Sequence, residues 1–137
     1  APTGRLQGLL KPLADKGLTL VAMRDGSSPR YGIPDAVSDV RRSVRYIRQN
    51  ADKFKIDPNR LGVFGMSAGG HLSLMLGTTA DEGNPDDKDP VGRISDRVQA
   101  VVAFVAPTDL TITVKDYPQR LPAYANFPAL DLDIKNA

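Results

Sequence analysis

The chain has 137 residues, of which 41% are apolar and 25% charged, and this is the composition of an ordinary globular domain. It contains no cysteine, so disulfides and thiolate metal sites are excluded. The net charge of +2 comes from basic residues spread along the chain, which argues against nucleic-acid binding. No stretch approaches the roughly 18 consecutive apolar residues of a membrane span. The compartment is left open, because a leader can be removed from a mature chain.

The first part of the sequence predicts a helix and then a strand. Gly17 is expected to follow the end of the helix, whose apolar positions fall at helical spacing: Leu6, Leu9, Leu10 and Leu13. The apolar run at 18–23 is bounded by Gly17 and by the turn-forming residues 25–26, and it predicts a buried strand. Residues 25–34 are rich in Gly, Ser and Pro and predict a loop.

A long amphipathic helix is predicted next. Pro34 suits its first turn because the missing N–H costs nothing there, and Asp35 favours the positive end of the helix dipole. One apolar face predicts a helix of about 18 residues that lies on a core: Val37, Val40, Val44, Ile47 and Ala51. The arginines of this helix are expected to form a solvated face rather than a binding patch: Arg41, Arg42, Arg45 and Arg48.

The rest of the pattern alternates between strands and a helix. A second strand is predicted at 60–65, a helix follows it at once and ends near Gly77, and a third strand at 99–106 is stopped by Pro107. The acidic residues of 81–90 do not match the spacing of a Ca²⁺-binding loop, so they predict a surface loop.

This alternation predicts an α/β protein in three layers, α/β/α, with a mostly parallel sheet. A sheet of three strands leaves unpaired backbone groups and apolar side chains at its edges. We therefore expect residues 1–137 to form a single, incomplete domain that self-associates through its exposed sheet edges.

One motif carries chemistry. Residues 65–69 (GMSAG) match G-x-S-x-G and stand between a predicted strand and a predicted helix. In that setting the serine occupies a sharp, strained turn with small residues two positions away on either side. The turn lifts Ser67 above the carboxyl edge of the sheet, where the helix N-terminus and the Ala68 N–H favour developing negative charge. The motif predicts Ser67 as a nucleophile and Ala68 as an oxyanion-hole donor; the alternatives are a structural serine and a phosphate-binding turn.

The residues around the motif resemble a known family. Residues 57–72 (DPNRLGVFGMSAGGHL) are similar to the nucleophile region of bacterial carboxylesterases related to feruloyl and acetyl esterases, which belong with the lipases among the α/β-hydrolases. Residues 13–37 and 98–110 resemble the flanking elements of the same family. The resemblance implies a partial α/β-hydrolase fold and a serine hydrolase that cleaves a small-molecule ester through an acyl-enzyme. It implies no cofactor and no metal.

Other parts of the family pattern are expected outside this chain. Such enzymes carry a His-Gly-Gly-Gly-type loop upstream, and an acidic residue and then a histidine downstream of the serine. The one histidine present, His71, lies on a helix that runs away from the site, so a packing or surface role is predicted for it rather than that of the base. Asp109 is predicted to cap a turn, because no histidine is available for it to orient.

The sequence therefore predicts a serine ester hydrolase in the complete protein, with this chain poorly active by itself. Without the base, only the roughly 10³–10⁴-fold acceleration that binding and oxyanion contacts provide would remain. The alternatives are a non-catalytic binding module on the hydrolase scaffold and an interaction fragment that pairs its sheet edges with another chain. The ester itself is not specified, since acyl and alcohol pockets are built from loops largely absent here.

Overall fold

The N-terminal segment is helical. In the computed structural model, which describes residues 4–24 and 32–110, the first helix, α1, spans Gly4–Asp15. The chain leaves it at Gly17, which has a φ of 83° and donates its N–H to the Ala14 carbonyl oxygen at 2.9 Å. This left-handed glycine just past the helix is the termination signal that the sequence predicts.

Residues 18–24 do not form a strand. The prediction of a buried strand at 18–23 is wrong, because this backbone is not part of the sheet and Leu18 and Val21 are about half exposed. Met23 packs on the core, so the side chains of this segment are only partly buried. The physical reason is that an apolar run predicts buried side chains, whereas a strand also needs a hydrogen-bonded neighbour that the run does not specify.

The long amphipathic helix, α2, spans Ile33–Gln49 and is followed by the one-turn helix α3, Ala51–Phe54. Pro34 lies in the first turn of α2, and the Asp35 carboxylate accepts the Gly32 N–H at 2.9 Å, which confirms the predicted start. Its buried face consists of Ala36, Val40 and Val44. None of the helices described is long and apolar enough to cross a bilayer.

A strand, a helix and a second strand form the centre of the fold. Strand β1 (Gly62–Met66) leads directly into α4 (Ala68–Thr78), and a 3-10 turn (Pro90–Arg93) precedes strand β2 (Ala100–Phe104). The two strands pair in parallel, with Gly62 opposite Ala100 and Met66 opposite Phe104. The α/β class and the parallel sheet predicted from the sequence are thus confirmed.

The helices α2 and α4 lie on one side of this sheet. The core consists of Val40 and Val44 from α2 and Leu76 from α4, against which Val63 of β1 packs. The alternate side chains of β2, among them Val102, are exposed within the described residues. Among the described residues, no helix packs on the opposite side of the sheet, where the predicted three-layer arrangement places its second helical layer. Self-association through the sheet edges stays a prediction.

Of the four arginines of α2 only Arg42, which is 59% exposed, lies on the solvated face that the sequence predicts; the other three do not. Arg41 and Arg45 are only 21% and 12% exposed, and both donate to the Asp96 carboxylate, at 3.2 and 2.9 Å. Arg48 donates its Nε–H to the Pro58 carbonyl oxygen at 3.0 Å. Asp96 is fully buried, and a buried carboxylate is tolerated only where cations and N–H groups neutralise it, which is why the arginines turn toward it.

The acidic loop at 81–90 is held on α2 by the same network. Asp81 accepts from Arg45 at 2.6 Å, and this bond, together with the Gly83 N–H, lowers the pKa of Asp81 below its ordinary value. The Asp81 N–H in turn donates to Asp96 at 2.7 Å. Partial burial of the Arg48 guanidinium lowers the pKa of Arg48, and the negative charge of Asp96 offsets part of this shift. Arg42 of α2 also donates to Asp89, so charge-assisted hydrogen bonds fix the loop near both of its ends.

Candidate active site

Ser67 lies at the junction between β1 and α4, on the turn that the motif predicts. Its backbone has φ of 54° and ψ of −119°, which is a strained conformation for any residue with a side chain. Two backbone hydrogen bonds hold it: the Ser67 N–H donates to the Phe104 carbonyl oxygen at 2.9 Å, and the Ser67 carbonyl oxygen accepts the His71 N–H at 3.0 Å. The strain is thus maintained by the end of β2 on one side and by α4 on the other.

The hydroxyl of Ser67 is not used for helix capping. A serine that precedes a helix ordinarily accepts a backbone N–H of the first turn. Ser67 occupies this position before α4, yet it makes no such bond, and the residue is exposed. The unusual backbone therefore keeps the hydroxyl from capping the helix. The hydroxyl remains accessible at the carboxyl end of the sheet.

The glycines around the turn are not equivalent. A Cβ on Gly65 would lie 2.2 Å from the Gly69 carbonyl oxygen, so only glycine fits there. A Cβ on Gly69 would meet none of the described residues within 4 Å, so the described part of the chain requires a small residue at Gly65 but not at Gly69. The sequence reasoning missed Gly70, where a Cβ would lie 3.0 Å from both the Ala106 Cβ and the Phe104 carbonyl oxygen. The sequence does offer a signal for Gly70, because it is the second of two consecutive glycines at the start of a predicted helix.

The N-terminus of α4 lies beside Ser67 and carries N–H groups that have no acceptor within the helix. The first bond of the helix runs from the His71 N–H to Ser67, so the N–H groups of Ala68, Gly69 and Gly70 precede the intrahelical ladder. These groups and the helix dipole favour negative charge at this end. Ala68 is exposed, and its assignment as an oxyanion-hole donor stays a prediction.

His71 has a specific contact that the sequence did not reveal. Its Nδ1 lies 3.0 Å from the Pro107 carbonyl oxygen. Because a carbonyl oxygen only accepts, Nδ1 must carry a proton and donate it. In this tautomer Nε2 is the unprotonated nitrogen, and among the described residues no hydrogen bond joins it to Ser67. The ring is held at the Pro107 carbonyl oxygen, which agrees with the predicted packing role.

The segment after β2 completes the surroundings of the turn. Val105 has a φ of 45°, which is rare for a β-branched residue, and it is 82% exposed. Nothing in the sequence signals this conformation, since valine disfavours it. Asp109 is exposed and directly precedes residue 110, which is helical, so its predicted turn-capping role remains a prediction.

Comparison with known proteins identifies the family. The family model BD-FAE matches residues 1–126. The chain belongs to the BD-FAE family. Among curated relatives, this BD-FAE chain is 32% identical over 108 residues to the probable carboxylic ester hydrolase LipM of Mycobacterium tuberculosis, covering 79% of the chain and 25% of the relative. It is 34% identical over 101 residues to the esterase LipC of the same organism, covering 74% of the chain and 25% of the relative.

The fold of this BD-FAE chain also matches solved structures. The Bacteroides eggerthii bifunctional GH43-CE protein aligns with a TM-score of 0.62 and 34% identity, over 78% of this chain and 15% of that one. The resemblance to α/β-hydrolase esterases inferred from residues 57–72 is thus confirmed at the level of family and fold. The chain spans about a quarter of the length of the curated relatives that it matches.

Proposed function

We propose that Ser67 is the nucleophile of a carboxylic ester hydrolase. The observation that carries the proposal is the strained backbone of Ser67, φ 54° and ψ −119°, combined with a hydroxyl that caps no helix N–H. Strain of this kind persists where the surrounding structure over-determines it, and it concentrates at functional sites. The position at the carboxyl end of a parallel strand, directly before a helix N-terminus, supports the same interpretation.

The reaction proceeds in two steps. The Ser67 Oγ forms a bond to the ester carbonyl carbon while its proton passes to a general base, and the carbonyl oxygen becomes an oxyanion facing the Ala68 N–H and the N-terminus of α4. The bond to the alcohol oxygen then breaks, and the base returns the proton to the departing alcohol. Water, deprotonated by the same base, attacks the acyl-enzyme, releases the carboxylic acid and restores the serine.

The general base belongs to a part of the protein outside these 137 residues. The chain holds one histidine, and the Nδ1 of His71 donates to Pro107. With Nδ1 protonated, Nε2 is the nitrogen that would accept the serine proton, and among the described residues no hydrogen bond joins it to Ser67. The proposal thus treats residues 1–137 as an incomplete domain, which accords with the quarter of each relative's length that the chain covers.

The substrate class follows from the relatives and the chemistry. LipM and LipC are named as a carboxylic ester hydrolase and an esterase, and an activated serine beside a helix N-terminus suits acyl transfer. We therefore assign carboxylic esters as substrates. Binding of a phosphate ester at the turn, without chemistry at Ser67, is the competing interpretation that the experiment below separates.

The test compares two serine variants of the complete protein. Ser67→Ala should lower kcat for p-nitrophenyl acetate by at least about 10³-fold, because it removes the atom that attacks. Ser43→Ala is the matched control: the Ser43 hydroxyl already donates to the Asp39 carbonyl oxygen at 2.8 Å, so kcat should stay at the wild-type value. Wild-type hydrolysis by Ser67→Ala would refute the proposal.

A further inference from the structure

His71 joins two segments that meet at Ser67. Its backbone N–H donates to the Ser67 carbonyl oxygen at 3.0 Å, and its side-chain Nδ1–H donates to the Pro107 carbonyl oxygen at 3.0 Å. One residue thus connects the nucleophile turn to the segment that follows β2. The neutral Nδ1–H form and the imidazolium both provide this donor, so the contact does not depend on the protonation of the other ring nitrogen.

The segment that His71 holds is strained. Val105 adopts a φ of 45°, and for a β-branched residue this conformation is costly, so it relaxes unless its neighbours are fixed. Phe104 is fixed on one side by the Ser67 N–H, and Pro107 on the other side by His71. Ala106, between them, packs closely on Gly70: a Cβ added to Gly70 would lie 3.0 Å from the Ala106 Cβ. The strain is therefore maintained by contacts with α4 and its N-terminus.

Val105 directly follows the last paired residue of β2, just as Ser67 directly follows the last paired residue of β1. The parallel register ends at the pair of Met66 and Phe104. Relaxation of Val105 would move the Phe104 carbonyl group, which accepts the Ser67 N–H. A shift at Pro107 is thus transmitted through the strained residue to the backbone of Ser67.

We propose that His71 is a positioning residue that holds residues 104–107, with the strained Val105, against the nucleophile turn in the geometry needed for acylation. This inference rests on the proposed role of Ser67. It requires a hydrogen-bond donor at the position of the imidazole Nδ1 and no proton transfer by His71. It also predicts that the contribution of His71 depends on the strain at Val105.

The experiment uses a matched pair of substitutions in the complete protein. The side-chain N–H of asparagine can occupy the place of the imidazole Nδ1, so His71→Asn keeps the donor, whereas His71→Leu removes it at similar bulk. We expect His71→Leu to lower kcat for p-nitrophenyl acetate about 10- to 100-fold, with the larger effect on kcat than on KM, since a displacement of about 1 Å at a catalytic group costs up to 10²-fold. His71→Asn should restore most of the lost kcat and keep the wild-type pH profile.

A second variant keeps the test informative where His71→Leu folds poorly. Val105→Gly removes the cost of the left-handed conformation. His71→Leu should therefore lower kcat by a smaller factor when it is added to Val105→Gly than when it is added to the wild type. Rates are measured well below the thermal midpoint of each variant, so that folded protein is compared.

Several results would overturn the inference. These are wild-type kcat in His71→Leu, an equal loss in His71→Asn and His71→Leu, or a His71→Asn variant that loses the acidic limb of the pH profile, which would make His71 the base. Each of these leaves the role of Ser67 intact. Wild-type activity in Ser67→Ala would instead refute the proposed function, and this inference with it.

Discussion

Alanine at Gly65 should disrupt the nucleophile turn. An added Cβ would lie 2.2 Å from the Gly69 carbonyl oxygen, 2.3 Å from its carbon and 2.8 Å from the Gly70 nitrogen, all of them backbone atoms. Ordinary contact begins near 3.4 Å, so β1 and the start of α4 must separate by about 1 Å. Since no side-chain rotation relieves the clash, we expect a loss of about 3 kcal/mol in the free energy of unfolding, at the upper end of the cost of overpacking. The displacement should also lower kcat by about 10²-fold.

The matched control is the same substitution at Gly69, where the added Cβ comes within 4 Å of no residue in 4–24 or 32–110. Because alanine is the better helix former, Gly69→Ala should raise the free energy of unfolding by up to about 1 kcal/mol. The assay is urea unfolding of the complete protein, followed by circular dichroism, with kcat measured on the same samples. Equal unfolding midpoints for Gly65→Ala and Gly69→Ala would refute the reasoning.

Two further predictions concern the ion-pair network on α2. Asp96→Asn should lower the free energy of unfolding by about 3 kcal/mol, because it removes the fully buried charge beside Arg41 and Arg45 and leaves them only the half-exposed Asp81 as an ion-pair partner. Glu82→Gln, in a pair whose side chains are 70% and 60% exposed, should cost less than about 1 kcal/mol. Equal midpoints in urea would contradict this. The hydrogen bond from Arg45 lowers the pKa of Asp81, so Asp81 stabilises the fold above its unfolded-state pKa of about 4 and loses that contribution as the pH falls through its lower folded-state pKa. Asp81→Asn should therefore flatten the acid side of a plot of thermal midpoint against pH, and an unchanged slope would refute the assignment.

The nucleophile region was predictable because its signals are local. The apolar run before the motif, the motif at 65–69 and the apolar helix after it are consecutive in sequence, and β1 and α4 follow in that order. The end of α1 at Gly17 and the start of α2 near Pro34 were predictable for the same reason, since termination and capping depend on a few adjacent residues.

The errors came from partners that are distant in sequence. The run at 18–23 is apolar, but whether it pairs depends on a neighbouring strand that its own residues do not specify. The arginines of α2 look like a solvated face until Asp96, more than 50 residues later, is placed beside Arg41 and Arg45. Charge pairing of this kind follows from the tertiary fold and not from helical periodicity.

The reactive residue of the site was predictable from the sequence, but the contacts that hold it in place were not. The motif indicates Ser67 through a rule about strand-to-helix turns. The left-handed backbone of Val105 runs against the preference of valine, and the bond from His71 to Pro107 joins residues 36 positions apart. Supporting contacts of this kind are set by the packing of α4 on β2, which only the three-dimensional structure provides.

The most direct test of the account is an intact-mass spectrum of the complete protein before and after exposure to a fluorophosphonate, with the modified peptide mapped. An activated serine reacts with this probe, whereas an ordinary surface serine does not. We expect a single adduct on Ser67, absent from Ser67→Ala and retained in Ser43→Ala. An adduct on another serine, or hydrolysis of esters by protein that carries no adduct, would contradict it.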